Sequence, residues 1–250
     1  MAGGPDRLRR SAVSMWTACS LAAGTLAAAT CLASFTSCVA PIARGVRANP
    51  SMPVPDSFVV AFQTSRGRFD AMVHTDWAPT GADRFYQLVS DRYYDGARFF
   101  RVVKNFVAQF GISGTPAVND AWRVRRMADE PVRHTNGRGT IAYARGGPGT
   151  RTVQVYINLR DNARLDSLNG FGFPPIAEVI SGMTIVDSLY SEYGEATPRS
   201  GARPGHSGPS QDSIEVLGNT YLERGWPKLD YIKTARVIRE WRSPTPAAGK

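Results

Sequence analysis

The feature that most restricts the fold is a succession of short strand-like segments separated by turns. Residues 58–64 and 68–74 flank a Ser-Arg-Gly turn, and the second segment alternates apolar and polar side chains, so the pair predicts a β-hairpin with one buried face. Amphipathic spacing predicts only two helices, over 79–93 and 182–190. Further strands are predicted over residues 98–103, 106–110, 140–144, 153–158, 176–180 and 229–238. This pattern favours a mainly β fold, a closed antiparallel barrel, because closure leaves no exposed sheet edge.

The first forty residues differ in composition from the rest of the chain. Arg7, Arg9 and Arg10 precede an uncharged run over residues 11–43 that is rich in Ala, Leu, Thr and Ser. A basic segment before such a run is typical of an export signal. We therefore predict that residues 1–40 are a signal peptide or lipoprotein signal. A retained membrane anchor is the alternative, since the run is long enough to span a bilayer.

The sequence FTSC at residues 35–38 loosely resembles a bacterial lipobox, which makes Cys38 the candidate for lipidation. A lipid at this cysteine would tether the protein to a membrane through its N-terminus. We therefore expect an exported protein of the periplasm or cell envelope, with cleavage, lipidation and anchor retention all left open by the sequence.

The rest of the chain divides into a linker, one domain and a tail. Residues 41–56 contain four prolines and predict a linker. The folded domain is predicted over residues 57–240. Within it, residues 194–212 are rich in Gly, Pro and Ser and predict a long mobile loop, and residues 241–250 are predicted to be a disordered tail.

Composition argues against several classes of partner. The formal net charge is +9, but the basic residues are scattered without a run of five or more, so we predict no nucleic-acid partner. The three cysteines all lie in the first 38 residues, so the domain has no disulfide framework. The three histidines form no metal-binding spacing. We predict no metal, no cofactor and a monomer.

Three segments together resemble the cyclophilin family of peptidyl-prolyl cis/trans isomerases. The first is YDGARFFRVVKNFVAQFG at residues 94–111, and the second is GTIAYARGGPGTRTVQVYI at 139–157. The third, similar to the bacterial form, is NLRDNARLD at 158–166, continued by EVISGM at 178–183. The resemblance covers roughly residues 57–190. It implies a closed eight-stranded antiparallel barrel capped by two α-helices, with a groove that binds an X-Pro peptide.

The resemblance also implies roles for individual residues by matched position. Arg101 is implied to be the catalytic arginine. The residues implied to line the proline pocket are Phe106, Val107, Tyr156 and Leu165. Those implied to hold the peptide backbone are Gln109, Ala144 and Gln154, with Arg145 adjacent. Phe173 aligns where a His often occurs and completes the substrate-binding set.

Such a set suits prolyl isomerisation, in which no covalent bond breaks. Rotation about a peptide bond is opposed by a barrier of ~18–20 kcal/mol. In the twisted transition state the proline nitrogen regains a lone pair, and a charged guanidinium can donate hydrogen bonds near that nitrogen or to the prolyl carbonyl. Stronger binding of the twisted form lowers the barrier. We expect an enzyme that accelerates X-Pro isomerisation during the folding of exported proteins.

Several positions depart from the family pattern. Phe100 replaces a usual His, and Arg164 stands where many eukaryotic members have Trp. Tyr156 replaces a pocket Phe, and its hydroxyl costs about 1–3 kcal/mol on burial if it finds no partner. These departures favour one alternative, a non-catalytic module that binds proline-containing peptides on a cyclophilin scaffold.

Overall fold

The computed structural model describes residues 53–196 and 207–244. The predicted signal segment, with Cys38, and most of the predicted linker lie outside these residues. The strands are β1 (Ser57–Thr64), β2 (Arg68–His74), β3 (Arg101–Val103), β4 (Val107–Phe110), β5 (Thr140–Tyr143), β6 (Val155–Asn158), β7 (Pro175–Ser181) and β8 (Ile232–Trp241). They form one eight-stranded antiparallel sheet in the order β3-β4-β6-β5-β7-β2-β1-β8. The predicted mainly β fold is confirmed.

Four α-helices accompany the sheet within the described ranges, so the prediction of two helices is wrong. They are α1 (Pro79–Ser90), α2 (Pro116–Arg123), α3 (Met183–Asp187) and α4 (Gln211–Gly225). The helices α1 and α3 fall within the two predicted ones. The other two were not predicted from the sequence: α2 is only eight residues long, and α4 is interrupted by non-helical backbone at Gly218.

The main core is built by the predicted hairpin and α1. Alternate residues of β1, including Phe58 and Phe62, are fully buried. The ring of Phe62 stacks on Phe69 of β2, with centroids 4.7 Å apart. The apolar face of α1, which includes Phe85 and Leu88, is buried in the same cluster. The strand alternation and helical spacing of the sequence thus correspond to real buried faces.

The predicted closed barrel is not a continuous ladder, since the sheet ends at β3 and β8. The two ends are bridged instead. Residues 96–99, just before β3, exchange backbone hydrogen bonds with residues 230–232 at the start of β8, and Arg98 forms an isolated bridge with Tyr231. The pairing is interrupted at Phe100, whose buried ring belongs to a second apolar cluster.

This second cluster joins α4 to the sheet. Its buried members are Phe100, Ile112, Ile214, Leu222, Trp226 and Leu229. The helix approaches the segment before α2 closely, because the Asn219 N–H donates to the Gly114 carbonyl at 3.0 Å. At Gly218, φ is 62° and an added Cβ would lie 2.2 Å from that carbonyl oxygen, so glycine is required there.

The structure also shifts two predicted boundaries. The helix α4 begins inside the predicted 194–212 loop. At the predicted start of the tail, Trp241 still pairs with Ser57 in the sheet, and the Ser243 hydroxyl donates to Asp56 at 2.7 Å. Ladder pairing therefore orders the chain past residue 240. None of the helices in the described ranges is long and apolar enough to cross a membrane.

Candidate active site

The sheet and its loops enclose an open recess of about 460 Å³. Every residue that the resemblance implies for the site lines it: Arg101, Phe106, Val107, Gln109, Ala144, Arg145, Gln154, Tyr156, Leu165 and Phe173. The strands β3, β4 and β6, the turn between β3 and β4, and the segments after β5 and β6 carry this set. The structure thus brings the predicted residues together, and their roles remain predictions.

One end of the recess is apolar. The side chains clustered there are Val107, Ala142, Tyr156 and Leu165, against which Phe106, Ala144 and Phe173 pack. The rings of Tyr156 and Phe173 meet edge to face, with centroids 6.1 Å apart. Strand pairing aligns the two walls, because Gln109 of β4 lies opposite Tyr156 of β6. The result is a concave surface suited to a small apolar ring.

The hydroxyl of Tyr156 at the bottom of this pocket has a partner. It donates to Asn136 Oδ1 at 3.0 Å, and burial raises the pKa of Tyr156. Asn136 is itself held, because its Nδ2 donates to Asp166 Oδ1 and to the Phe173 carbonyl, both at 2.8 Å. Burial opposes ionisation of Asp166, but hydrogen bonds from Thr135 and Asn136 lower the pKa of this carboxyl. The substituted Tyr therefore carries no unsatisfied polar group.

A line of polar side chains crosses the recess beside the apolar pocket. Arg101 Nη1 donates to Gln109 Oε1 at 3.1 Å, and Gln109 Nε2 donates to Gln154 Oε1 at 2.9 Å. The register of β3 and β4 places Arg101 opposite Gln109. The guanidinium lies over the Phe106 ring, 5.3 Å from its centroid. A positive group and two amides thus border the pocket on one side.

One lining residue that sequence reasoning missed is Glu195. Its carboxylate accepts two hydrogen bonds from Arg101, from Nε at 2.6 Å and from Nη2 at 2.9 Å. The residue lies in the 194–212 segment, whose composition predicted only a loop. No local pattern indicates this contact, because the two residues are distant in sequence.

Arg145 is a second cation that lines the recess. Its side chain is only 1% exposed and donates to Asp129 Oδ1 at 2.8 Å. The guanidinium lies over the rings of Phe171 and Phe173, 4.1 and 5.0 Å from their centroids. Burial lowers the pKa of Arg145, and Asp129 opposes this shift. The site therefore has two cations, each paired with its own carboxylate.

The structure gives a reason for the departure at Phe100. A histidine there would be buried among the apolar side chains of the second cluster, whereas Phe100 packs with them at 1% exposure.

The backbone of Ala144 is held in place at the recess. This residue follows β5 directly and donates its backbone N–H to the Gln154 carbonyl at 2.9 Å. In the described ranges, no three His, Cys, Asp or Glu side chains group as metal ligands would.

Comparisons of the sequence give consistent matches. A family model described as cyclophilin type peptidyl-prolyl cis-trans isomerase/CLD matches residues 59–206, ending before α4 and β8. Peptidyl-prolyl cis-trans isomerase B of Escherichia coli is 32% identical over 154 residues, which cover 57% of this chain and 88% of that protein. A peptidyl-prolyl cis-trans isomerase of Streptomyces antibioticus is 32% identical over 138 residues, 52% of this chain and 81% of that protein.

Comparisons of the fold agree. The crystal structure of a cyclophilin type peptidyl-prolyl cis-trans isomerase of Cryptosporidium parvum superposes with a TM-score of 0.53 and 16% identity, covering 74% of this chain and 99% of that chain. Its crystal structure in the presence of the dipeptide Ala-Pro gives a TM-score of 0.51, with coverage of 73% and 99%. At this identity the likeness concerns the fold alone.

Proposed function

This chain belongs to the cyclophilin-type peptidyl-prolyl cis-trans isomerase family and is an enzyme of that type, and we propose that its catalytic centre is the recess around Arg101. The observation that carries the proposal is the hydrogen-bonded line from Arg101 through Gln109 to Gln154, directly beside an apolar pocket. One part can hold a proline ring while the other contacts the peptide backbone.

In this mechanism the pocket of Phe106, Val107, Tyr156, Leu165 and Phe173 holds the proline ring. Fixing the ring lets the preceding residue rotate about the X-Pro bond. The proposed ligands are proline-containing peptides or unfolded chains, and the Ala-Pro dipeptide used with the Cryptosporidium protein is a ligand of this class.

Arg101 supplies the stabilisation of the twisted amide. Its guanidinium is always charged and is positioned by Gln109 and the Phe106 ring, so it needs little reorganisation. Hydrogen bonds to the prolyl carbonyl or near the proline nitrogen are stronger in the twisted form, where the nitrogen has regained its lone pair. Binding that strengthens in the transition state lowers the barrier. Gln109 and Gln154 hold the flanking backbone meanwhile.

The test is a prolyl isomerisation assay on the full chain and on Arg101→Ala. We expect kcat/KM to fall at least about tenfold, which corresponds to ~1.4 kcal/mol of transition-state stabilisation. Arg160→Ala is the control, because this exposed arginine donates to the adjacent Asp161 carbonyl and does not line the recess. Equal activity of Arg101→Ala and the wild type would refute the assigned centre. Binding of X-Pro peptides without acceleration would favour the non-catalytic module.

We also propose that the protein acts outside the cytoplasm, on folding exported proteins. The support is the basic segment, the uncharged run of residues 11–43 and the FTSC sequence ending at Cys38. Cell fractionation, with mass spectrometry of the recovered N-terminus, tests it. Cleavage, a lipid on Cys38 or membrane retention would each fit export, whereas intact protein recovered from the cytoplasm would contradict it.

A further inference from the structure

The guanidinium of Arg101, to which we assign catalysis, is already hydrogen-bonded to the carboxylate of Glu195. The two oxygens of Glu195 accept from Arg101 Nε and Nη2, at 2.6 and 2.9 Å, and Gln109 accepts from Nη1 at 3.1 Å. All three guanidinium nitrogens therefore have a partner before any peptide binds. A paired, two-point contact of this kind is the strongest that an arginine makes with a carboxylate.

The segment that carries Glu195 is attached to the strand that carries Arg101. Gly194 forms an isolated bridge with Val102 of β3. Three residues before Glu195, the side chain of Glu192 pairs with Lys104 at 2.7 Å. The Glu195 carbonyl also accepts from the Gly208 N–H at 3.0 Å. Contacts on both sides thus hold the carboxylate at the edge of the recess.

We propose that Glu195 is an intramolecular latch on Arg101, which a proline-containing peptide displaces when its prolyl carbonyl takes over the guanidinium. The proposal rests on the catalytic role proposed for Arg101. Displacement requires that the carboxylate can leave while the guanidinium stays in place. The Glu195 side chain is 63% exposed, whereas that of Arg101 is 19% exposed. The carboxylate can therefore turn into water while the guanidinium stays over the Phe106 ring.

The latch lowers activity in two ways. A peptide must first break the ion pair, and a nearby negative charge reduces the positive potential that Arg101 offers to the twisted amide. The Glu195 side chain is 63% exposed, so water weakens even this two-point contact, the expected effect is modest and the latch opens readily. Added salt should screen such an exposed pair and release it in part.

The experiment compares kcat/KM of the full chain with Glu195→Gln, using an uncharged, end-blocked peptide that contains Ala-Pro. Glutamine keeps the shape and removes the charge. We expect kcat/KM to rise about two- to fivefold, the range of an exposed ion pair. The wild-type value should also rise with ionic strength, whereas that of Glu195→Gln should not. A lower or equal kcat/KM in Glu195→Gln would overturn the proposal and indicate that the carboxylate positions Arg101.

Two controls separate the latch from other causes. Glu223→Gln breaks the pair with Arg98, which has nearly the same exposure as the latch but does not line the recess, and should leave activity unchanged. An equal rise in that variant would attribute the effect to the loss of any negative charge and refute the latch. The rise must also vanish when Arg101→Ala is combined with Glu195→Gln, since the two residues act through one contact.

Failure of the proposed function is distinguishable from failure of the latch. If the wild type accelerates no isomerisation, the assignment of catalysis to this recess falls. The latch is then judged by calorimetric affinity for the same peptide, which is expected to be higher in Glu195→Gln. Equal affinities would refute it.

Discussion

At the scale of single residues, Tyr156 shows how a polar atom is accommodated in an apolar pocket. Its ring lines the recess, and its hydroxyl points away from it to Asn136. Asn136 accepts a second hydrogen bond, from Asn158 Nδ2 at 3.2 Å. The ring and the hydroxyl therefore have different roles: the ring lines the recess, and the hydroxyl holds the loop that contains Asn136.

This division predicts the effect of Tyr156→Phe. We expect the free energy of unfolding to fall by about 0.5–1.5 kcal/mol, because one buried hydrogen bond is lost and Asn136 keeps its other donor. Isomerase activity should stay close to that of the wild type, because the ring remains. Urea unfolding and the isomerisation assay measure the two effects.

Tyr190→Phe is a suitable comparison, since the Tyr190 ring meets Tyr193 edge to face with centroids 4.9 Å apart and does not line the recess. A large loss of activity in Tyr156→Phe with unchanged stability would show that the hydroxyl acts on the substrate instead.

At the scale of elements, α4 packs against the residue that precedes β3. It lies beyond the end of the matched family model and covers Phe100 through Leu222 and Trp226. The residue after Phe100 is Arg101, so the packing of α4 bears on the backbone that carries the guanidinium. An apolar residue at position 100 is therefore required by the helix that packs on it.

This arrangement predicts that Phe100→His, which restores the usual family residue, destabilises the protein. A buried imidazole would face the apolar members of the second cluster without a hydrogen-bond partner, at a cost of about 1–3 kcal/mol. The measurement is the free energy of unfolding in urea.

Phe100→Leu is the matched variant, because it keeps the site apolar and should cost less than Phe100→His. If the histidine variant proved as stable as the leucine variant, the second cluster would not be the reason for Phe100.

At the scale of the whole molecule, features that depend on residues close in sequence were predictable, and contacts between residues distant in sequence were not. The hairpin of β1 and β2 depends on alternation within fifteen or so residues, and it was predictable from that alone. The set around Arg101 was predictable because family motifs carry it. The contact with Glu195 was not, because it joins distant residues through a segment whose composition indicates only a loop.

The same reasoning accounts for the wrong predictions. The helix α4 follows a stretch rich in Gly, Pro and Ser, and its break at Gly218 disrupts the helical period. The barrel is interrupted between β3 and β8, where Phe100 packs with α4. Neither feature follows from a local sequence pattern.

The position of β1 in the sheet has a consequence for how the chain is made. One edge of β1 pairs with β2, which follows at once, but the other pairs with β8, where Ser57 lies opposite Trp241. Until the ribosome has released residue 241, a strand buried on both faces keeps an open edge of unpaired backbone groups, the kind of edge that promotes aggregation. Completion of this sheet therefore has to wait for a strand that is synthesised long after β1.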